Sequence, residues 1–196
     1  LTLDFVDVAG LDFSEFTGLK ELSLPHVKGL TSTQFNAIDK PSIIKLKLTN
    51  VNAENFILST LNSIKELTLS NLINLTPVQF NSIPKTFITL LDLSHINVTG
   101  FEFSSLKKIE TLILYCSKKL TAAQFNVISK ELIKKLDLSL TNIKDFNFSN
   151  LIIIEELMFC FSKNLTDIQF NCIPKDLIKV IALTRINVTN FDFSSL

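Results

Sequence analysis

The sequence is dominated by pairs of aliphatic residues that enclose one other residue and return at fixed intervals. A first kind of doublet occurs every 45 residues, and a second kind lies 21 residues after each first one and 24 before the next. Such regular spacing indicates a repeat protein, whose units bury their apolar side chains only by stacking on one another. The first kind comprises Leu1-x-Leu3, Leu46-x-Leu48, Leu91-x-Leu93, Leu136-x-Leu138 and Ile181-x-Leu183, and the second comprises Leu22-x-Leu24, Leu67-x-Leu69, Leu112-x-Leu114 and Leu157-x-Phe159.

Each doublet predicts a short β-strand, because alternate side chains of a strand point to opposite faces. The two doublet residues face inward and the residue between them faces outward, so the nine doublets predict nine strands lying side by side. Further apolar residues follow every doublet and are expected to point into one shared interior. After Leu112-x-Leu114 these inward residues are predicted to be Leu120, Phe125, Ile128 and Leu132.

The longer, 24-residue unit also carries a signal for the start of a helix. In all four copies a Thr precedes a Gln by three residues, which is the capping-box pattern. Pro77 occupies the first helical position, where its missing N–H costs nothing, and Pro84 and Pro174 lie where the helix should stop. The four predicted capping boxes are Thr31 with Gln34, Thr76 with Gln79, Thr121 with Gln124, and Thr166 with Gln169.

The shorter, 21-residue unit leaves only about a dozen residues between one strand and the next. We expect a single 3₁₀ turn or an extended segment there rather than a full helix. Its inward residues are predicted to be Phe101, Phe103, Leu106 and Ile109 in one copy. The recurrence of Phe at these positions predicts core packing, rather than stacking on a base or a cofactor, for much of the Phe content.

The amino-acid composition limits which classes of partner and which cellular compartment we expect. Lys+Arg and Asp+Glu both number 19, so the chain lacks the cationic surplus expected of a nucleic-acid binder. No apolar run approaches the roughly 18 residues that a membrane span needs. Cys116, Cys160 and Cys172 cannot all pair, and unpaired thiols favour a reducing compartment, whereas five N-x-S/T sequons are typical of secreted proteins. We therefore favour a cytoplasmic over a secreted location.

The doublets and their surroundings resemble the leucine-rich-repeat family over essentially the whole chain. The stretch Ile109-x-x-Leu112-x-Leu114 is similar to that family's L-x-x-L-x-L unit. Residues 112–121, LILYCSKKLT, loosely resemble the cysteine-containing repeats that often follow F-box domains, with Ser117 in the cysteine position. The resemblance implies an α/β fold: a right-handed solenoid with a parallel sheet on its concave face and short helices or 3₁₀ turns on its convex face.

The expected organisation is one array of alternating 21- and 24-residue units over residues 1–196. Segments 96–106 and 186–196 differ at only two positions, which indicates tandem duplication. Neither end of the chain shows a polar capping repeat, so we expect flanking repeats or domains at both ends.

The outward residues of the predicted sheet are the best candidates for contact with a partner, because the family mostly binds proteins on this face. The first half of the face is small and polar, whereas the second half contains the only Tyr and the only Met of the chain. Large apolar or aromatic groups on an otherwise polar face are typical of binding hot spots. The hypothesis is that a protein partner contacts Ile113, Tyr115, Met158, Cys160 and Phe161, flanked by Leu90 and Val180.

No pattern in the sequence predicts catalysis, a metal site or a cofactor. At about 4.8 Å per strand, His26 and His95 should lie roughly 14 Å apart, too far to share a metal ion. The four glycines are scattered and form no phosphate-binding loop. We therefore expect a non-catalytic protein-binding module. Two other functions stay open: the substrate-recognition part of an F-box-type ubiquitin ligase, and a structural or surface repeat protein of a microbe.

Overall fold

The computed structural model describes residues 1–194 as one α/β structure built on a single parallel sheet. Eight strands lie in the order of the chain, and each one pairs only with its neighbours in sequence. Consecutive strands are therefore consecutive coils, an arrangement compatible with a solenoid. The strands are β1 (Glu21–Pro25), β2 (Lys45–Thr49), β3 (Glu66–Ser70), β4 (Leu90–Asp92), β5 (Thr111–Ile113), β6 (Lys135–Asp137), β7 (Glu156–Met158) and β8 (Val180–Ala182).

The register of the sheet aligns the doublets. Leu22 pairs with Leu46, Leu46 with Leu67, and the same column continues through the other strands to Ile181. The doublet residues from Leu22 to Phe159 are buried in one continuous apolar core. This confirms that the doublets point inward and that burial depends on the coil before and the coil after.

The four helices begin where the capping boxes predict them. In each one the Thr side chain accepts from the backbone N–H of the Gln, and the Gln side chain accepts from the backbone N–H of the Thr. Every helix is short because the chain must return to the sheet within one coil. The helices are α1 (Ser32–Ala37), α2 (Pro77–Asn81), α3 (Ala122–Asn126) and α4 (Asp167–Asn171).

The capping glutamine also joins its helix to the preceding coil. Gln79 Nε2 donates to the carbonyl oxygens of Ala53 and Phe56, at 2.7 and 3.0 Å. Two residues later in the same helix, Asn81 bonds to the following coil, where it donates to Gly100 O and accepts from Glu102 N. The other three helices repeat both contacts, through Gln34 and Asn36, Gln124 and Asn126, and Gln169 and Asn171.

The residue between that Gln and Asn is always a phenylalanine that enters the core. Phe80 is fully buried, and its ring stacks on Phe101 of the next coil with the centroids 4.3 Å apart. Phe35, Phe125 and Phe170 make the same stacked contact. The motif Gln-Phe-Asn therefore connects three coils through two sets of hydrogen bonds and one aromatic stack.

The shorter units contain turns and extended segments, with no helix among the described residues. Hydrogen bonds from residue i to residue i−3 close these turns, as in Phe101 N to Val98 O and Leu106 N to Phe103 O, both at 3.0 Å. Phe101, Phe103, Leu106 and Ile109 are all buried, as predicted.

Two details of the prediction are wrong. Leu132 is 46 % exposed, and the neighbouring Ile133 is the buried residue. The turn closed by Ile133 N and Lys130 O determines which of the two adjacent apolar residues faces inward. The predicted ninth strand, at the first doublet, is only one bridge between Thr2 and Ser23, with hydrogen bonds from Leu3 N to Ser23 O and from Ser23 N to Leu1 O. Residues 195 and 196 of the predicted array lie outside the described residues.

Candidate partner-binding face

The outer face of the sheet, which points away from the apolar core, carries the predicted binding residues. Strands β1 to β3 are five residues long, whereas β4 to β8 are only three residues long. After β4 and β6, the carboxylates of Asp92 and Asp137 accept the backbone N–H two residues later, at 2.8 Å, from Ser94 and Ser139. The residues after these strands still donate to the next coil, as His95 N does to Tyr115 O, and they form the edge of the face.

Ile113 and Met158 are both half-buried on the outer face, but the structure does not bring them together. Asp137 pairs with Ile113 on one side and with Met158 on the other. The two apolar side chains are thus two strands apart, roughly 10 Å. The predicted patch is therefore divided by a polar strip at Asp137.

Tyr115 and Cys160 are separated in the same way. Cys116 N donates to Ser139 O and Leu140 N donates to Cys160 O, which places the small, buried Ser139 between them. The Tyr115 ring meets the ring of His95 edge-on, with the centroids 5.1 Å apart. Tyr115 therefore lies on the His95 side of this polar strip.

Phe161 lies on the other side of the polar strip, next to Cys160. Its side chain is 44 % exposed, and the guanidinium carbon of Arg185 lies 5.4 Å from its ring centroid. Leu140, 45 % exposed, is the corresponding residue of the preceding coil. Leu140 and Arg185 extend the apolar surface along the edge of the sheet. Leu140 and Arg185 were not among the predicted residues, although Phe161, at the same repeat position, was.

The first half of the outer face contains a polar depression instead. Its lining includes Asp4, His26, Lys47, Thr49 and Asp92. His26 Nδ1 lies 2.7 Å from Asn50 Nδ2, a contact in which the amide donates to the ring nitrogen. The depression is also lined by Phe5, whose ring stacks on that of His26 with the centroids 4.5 Å apart.

The described part of the chain shows no arrangement typical of metal chemistry or of a membrane span. Within residues 1–194, no three His, Cys, Asp or Glu side chains lie together where they could hold a metal ion. The three cysteines are unpaired, and Cys172 caps the end of α4, where its Sγ donates to Gln169 O. None of the helices in this range is long and apolar enough to cross a membrane.

No protein-family model, curated protein or solved structure matches this chain. On the outer face of the sheet, the first half lines a polar depression, and the second half carries the half-buried Ile113, Tyr115 and Met158. Such a face can bind another macromolecule by shape and burial of apolar surface.

Proposed function

We propose that this chain is a leucine-rich-repeat solenoid that binds a protein partner through the outer face of its sheet and catalyses no reaction. In this proposal the solenoid is right-handed and curved, with the sheet on the concave side. The repeat spacing and the all-parallel sheet in chain order support this architecture. A parallel sheet in which each inner strand is hydrogen-bonded along both edges gives a preorganised surface, which lowers the ordering cost of binding.

The observation that carries the proposal is the placement of two residue types that the chain uses only once. Tyr115 and Met158 are the single Tyr and the single Met, and both lie half-buried on the outer face. Aromatic residues and Met are enriched at protein interfaces relative to the rest of the surface. A partner that spans the polar strip would contact both residues, and Asp137 would lie at the centre of that contact.

Affinity capture with matched variants tests the proposal. The double variant Tyr115→Ala, Met158→Ala should lose a partner that the wild-type chain retains, with affinity weakened by more than about tenfold. The control is Val78→Ala, Ile168→Ala, which truncates two helix residues that are about 80 % exposed. Equal retention by all three chains, or loss only in the helix variant, would refute binding through the sheet.

A further inference from the structure

One position of the repeat has an unusual backbone throughout the chain. The residue four places after the start of each doublet adopts the left-handed conformation, with φ between 50° and 62°. This position lies directly beyond the outer face, so its side chains follow one another along the edge of the sheet. We call the nine residues the edge column: Phe5, His26, Asn50, Asn71, His95, Cys116, Leu140, Phe161 and Arg185.

Two other repeated positions are also left-handed, and there the chain follows the usual preference for Gly, Asn and Asp. Only Lys119 departs from it. The edge column contains no Gly. Four of its residues, His26, Asn50, Asn71 and His95, are of types that tolerate this conformation, whereas Phe5, Cys116, Leu140, Phe161 and Arg185 are not. The compared positions are Gly10, Asn55, Gly100 and Asp145 in the shorter units, and Gly29, Asn74, Lys119 and Asn164 in the longer ones.

The last three members of the edge column form a continuous surface. Leu140 N donates to Cys160 O at 2.9 Å, and Phe161 N donates to Thr184 O at 2.8 Å. The side chains of Leu140, Phe161 and Arg185 are therefore about one strand spacing apart, roughly 4.8 Å. Arg185 is the only arginine of the chain, and it follows β8, the strand that pairs with the methionine-bearing β7.

Arg185 has a positive charge that the described residues leave without a partner. Within residues 1–194 its guanidinium makes no salt bridge and no hydrogen bond, and the edge column contains no Asp or Glu. The contact with the Phe161 ring holds the guanidinium at the surface. A guanidinium held in this way matches a carboxylate, which it can bind through two parallel hydrogen bonds.

We propose that Leu140, Phe161 and Arg185 recognise a protein segment in which an Asp or Glu stands next to an apolar side chain. The carboxylate pairs with Arg185, and the apolar side chain covers Phe161 and Leu140. This inference rests on the proposed function, because it specifies the chemistry of the partner at the same face. The charge complementarity of an unpaired arginine selects an acidic segment over a basic or neutral one.

Selection of phage-displayed random peptides on the immobilised chain tests this chemistry directly, since it requires no identified partner. The enriched peptides should carry Asp or Glu beside an aromatic or aliphatic residue. Their affinity should fall by about tenfold or more in Arg185→Gln and decrease with added salt. Arg185→Lys should bind with intermediate affinity, because lysine keeps the charge but loses the planar fork. Phe5→Ala, at the opposite end of the edge column, is the control and should bind as the wild type does.

Each result separates this inference from the proposed function. Enriched peptides without a carboxylate, or equal binding by Arg185→Gln, overturn the inference. If those peptides still lose affinity in the Tyr115→Ala, Met158→Ala variant, the proposed function stands and only the acidic recognition fails. If neither variant changes the affinity, both fail. Sedimentation of the chain alone tests a second copy as the occupant, since a dimer that Arg185→Gln dissociates would also overturn the inference.

Discussion

The ammonium nitrogen of Lys40 lies 4.8 Å from the centroid of the Phe35 ring and donates to the carbonyl oxygens of Asn36 and Ile38. A cationic side chain thus satisfies carbonyls at the end of α1 from inside the core. Lys85, Lys130 and Lys175 lie over Phe80, Phe125 and Phe170 in the same way. Each long unit therefore closes its helix with one buried lysine.

This arrangement predicts a pH-dependent stability. Burial lowers the pKa of Lys40 to about 8, and burial also lowers the pKa of Lys85 and Lys130. An unfolded lysine keeps a pKa of about 10.4, so between about pH 8 and 10 the unfolded chain binds more protons than the folded one. The free energy of unfolding should therefore rise with pH through this window. Urea unfolding at a series of pH values measures it.

The control for this prediction is Lys40→Met, which keeps an apolar stem but removes one titrating group. Its free energy of unfolding should rise less steeply between about pH 8 and 10 than that of the wild type. Identical slopes in the two proteins would show that Lys40 does not contribute.

A second prediction concerns the two roles of the capping glutamine. Thr76→Ala removes only the cap of α2 and should lower the free energy of unfolding by about 1 kcal/mol. Gln79→Ala also leaves the partly buried carbonyls of Ala53 and Phe56 without a donor, and should cost about 2 kcal/mol or more. Chemical denaturation of both variants makes the comparison. A Thr76 variant at least as unstable as the Gln79 variant would contradict the contact between coils.

A third prediction compares two adjacent residues. Ile133 is fully buried and Leu132 is largely exposed. Ile133→Ala should lower the free energy of unfolding by about 2 to 5 kcal/mol, whereas Leu132→Ala should change it by about 0.5 kcal/mol. Thermal and urea unfolding under the same conditions give both values. The reverse order would mean that the turn after Lys130 is built differently.

The capping boxes and the inward residues differ in how far the sequence could predict them. The capping boxes depend on residues three positions apart and on local geometry, so all four were predicted correctly. The choice between Leu132 and Ile133 was missed because both are apolar and the prediction rested on apolar character alone, whereas the turn closed by Lys130 and Ile133 decides which one faces inward. The contacts of Gln79 with the preceding coil were also not predicted, since no spacing rule links a helix side chain to the carbonyls of another coil.

The candidate face was predictable only in part, for a similar reason. The alternation of each strand identified the outward residues, but apolar character alone did not show that Asp137 separates Ile113 from Met158. The left-handed backbone of Leu140 and Arg185 carried no signal, because Leu and Arg, unlike Gly or Asn, do not indicate that conformation. These two residues became candidates only once the register and the backbone angles were known.

The most direct test of the coil-upon-coil architecture is to duplicate residues 46–90, which restores the phase of the repeat. In a stack of coils the longer chain should fold cooperatively, with two more strands and a sheet longer by about 10 Å. Small-angle X-ray scattering measures the increase in maximum dimension, and urea unfolding should give a higher free energy of unfolding. An inserted repeat that leaves the dimension unchanged, or a chain that no longer unfolds cooperatively, would contradict the account.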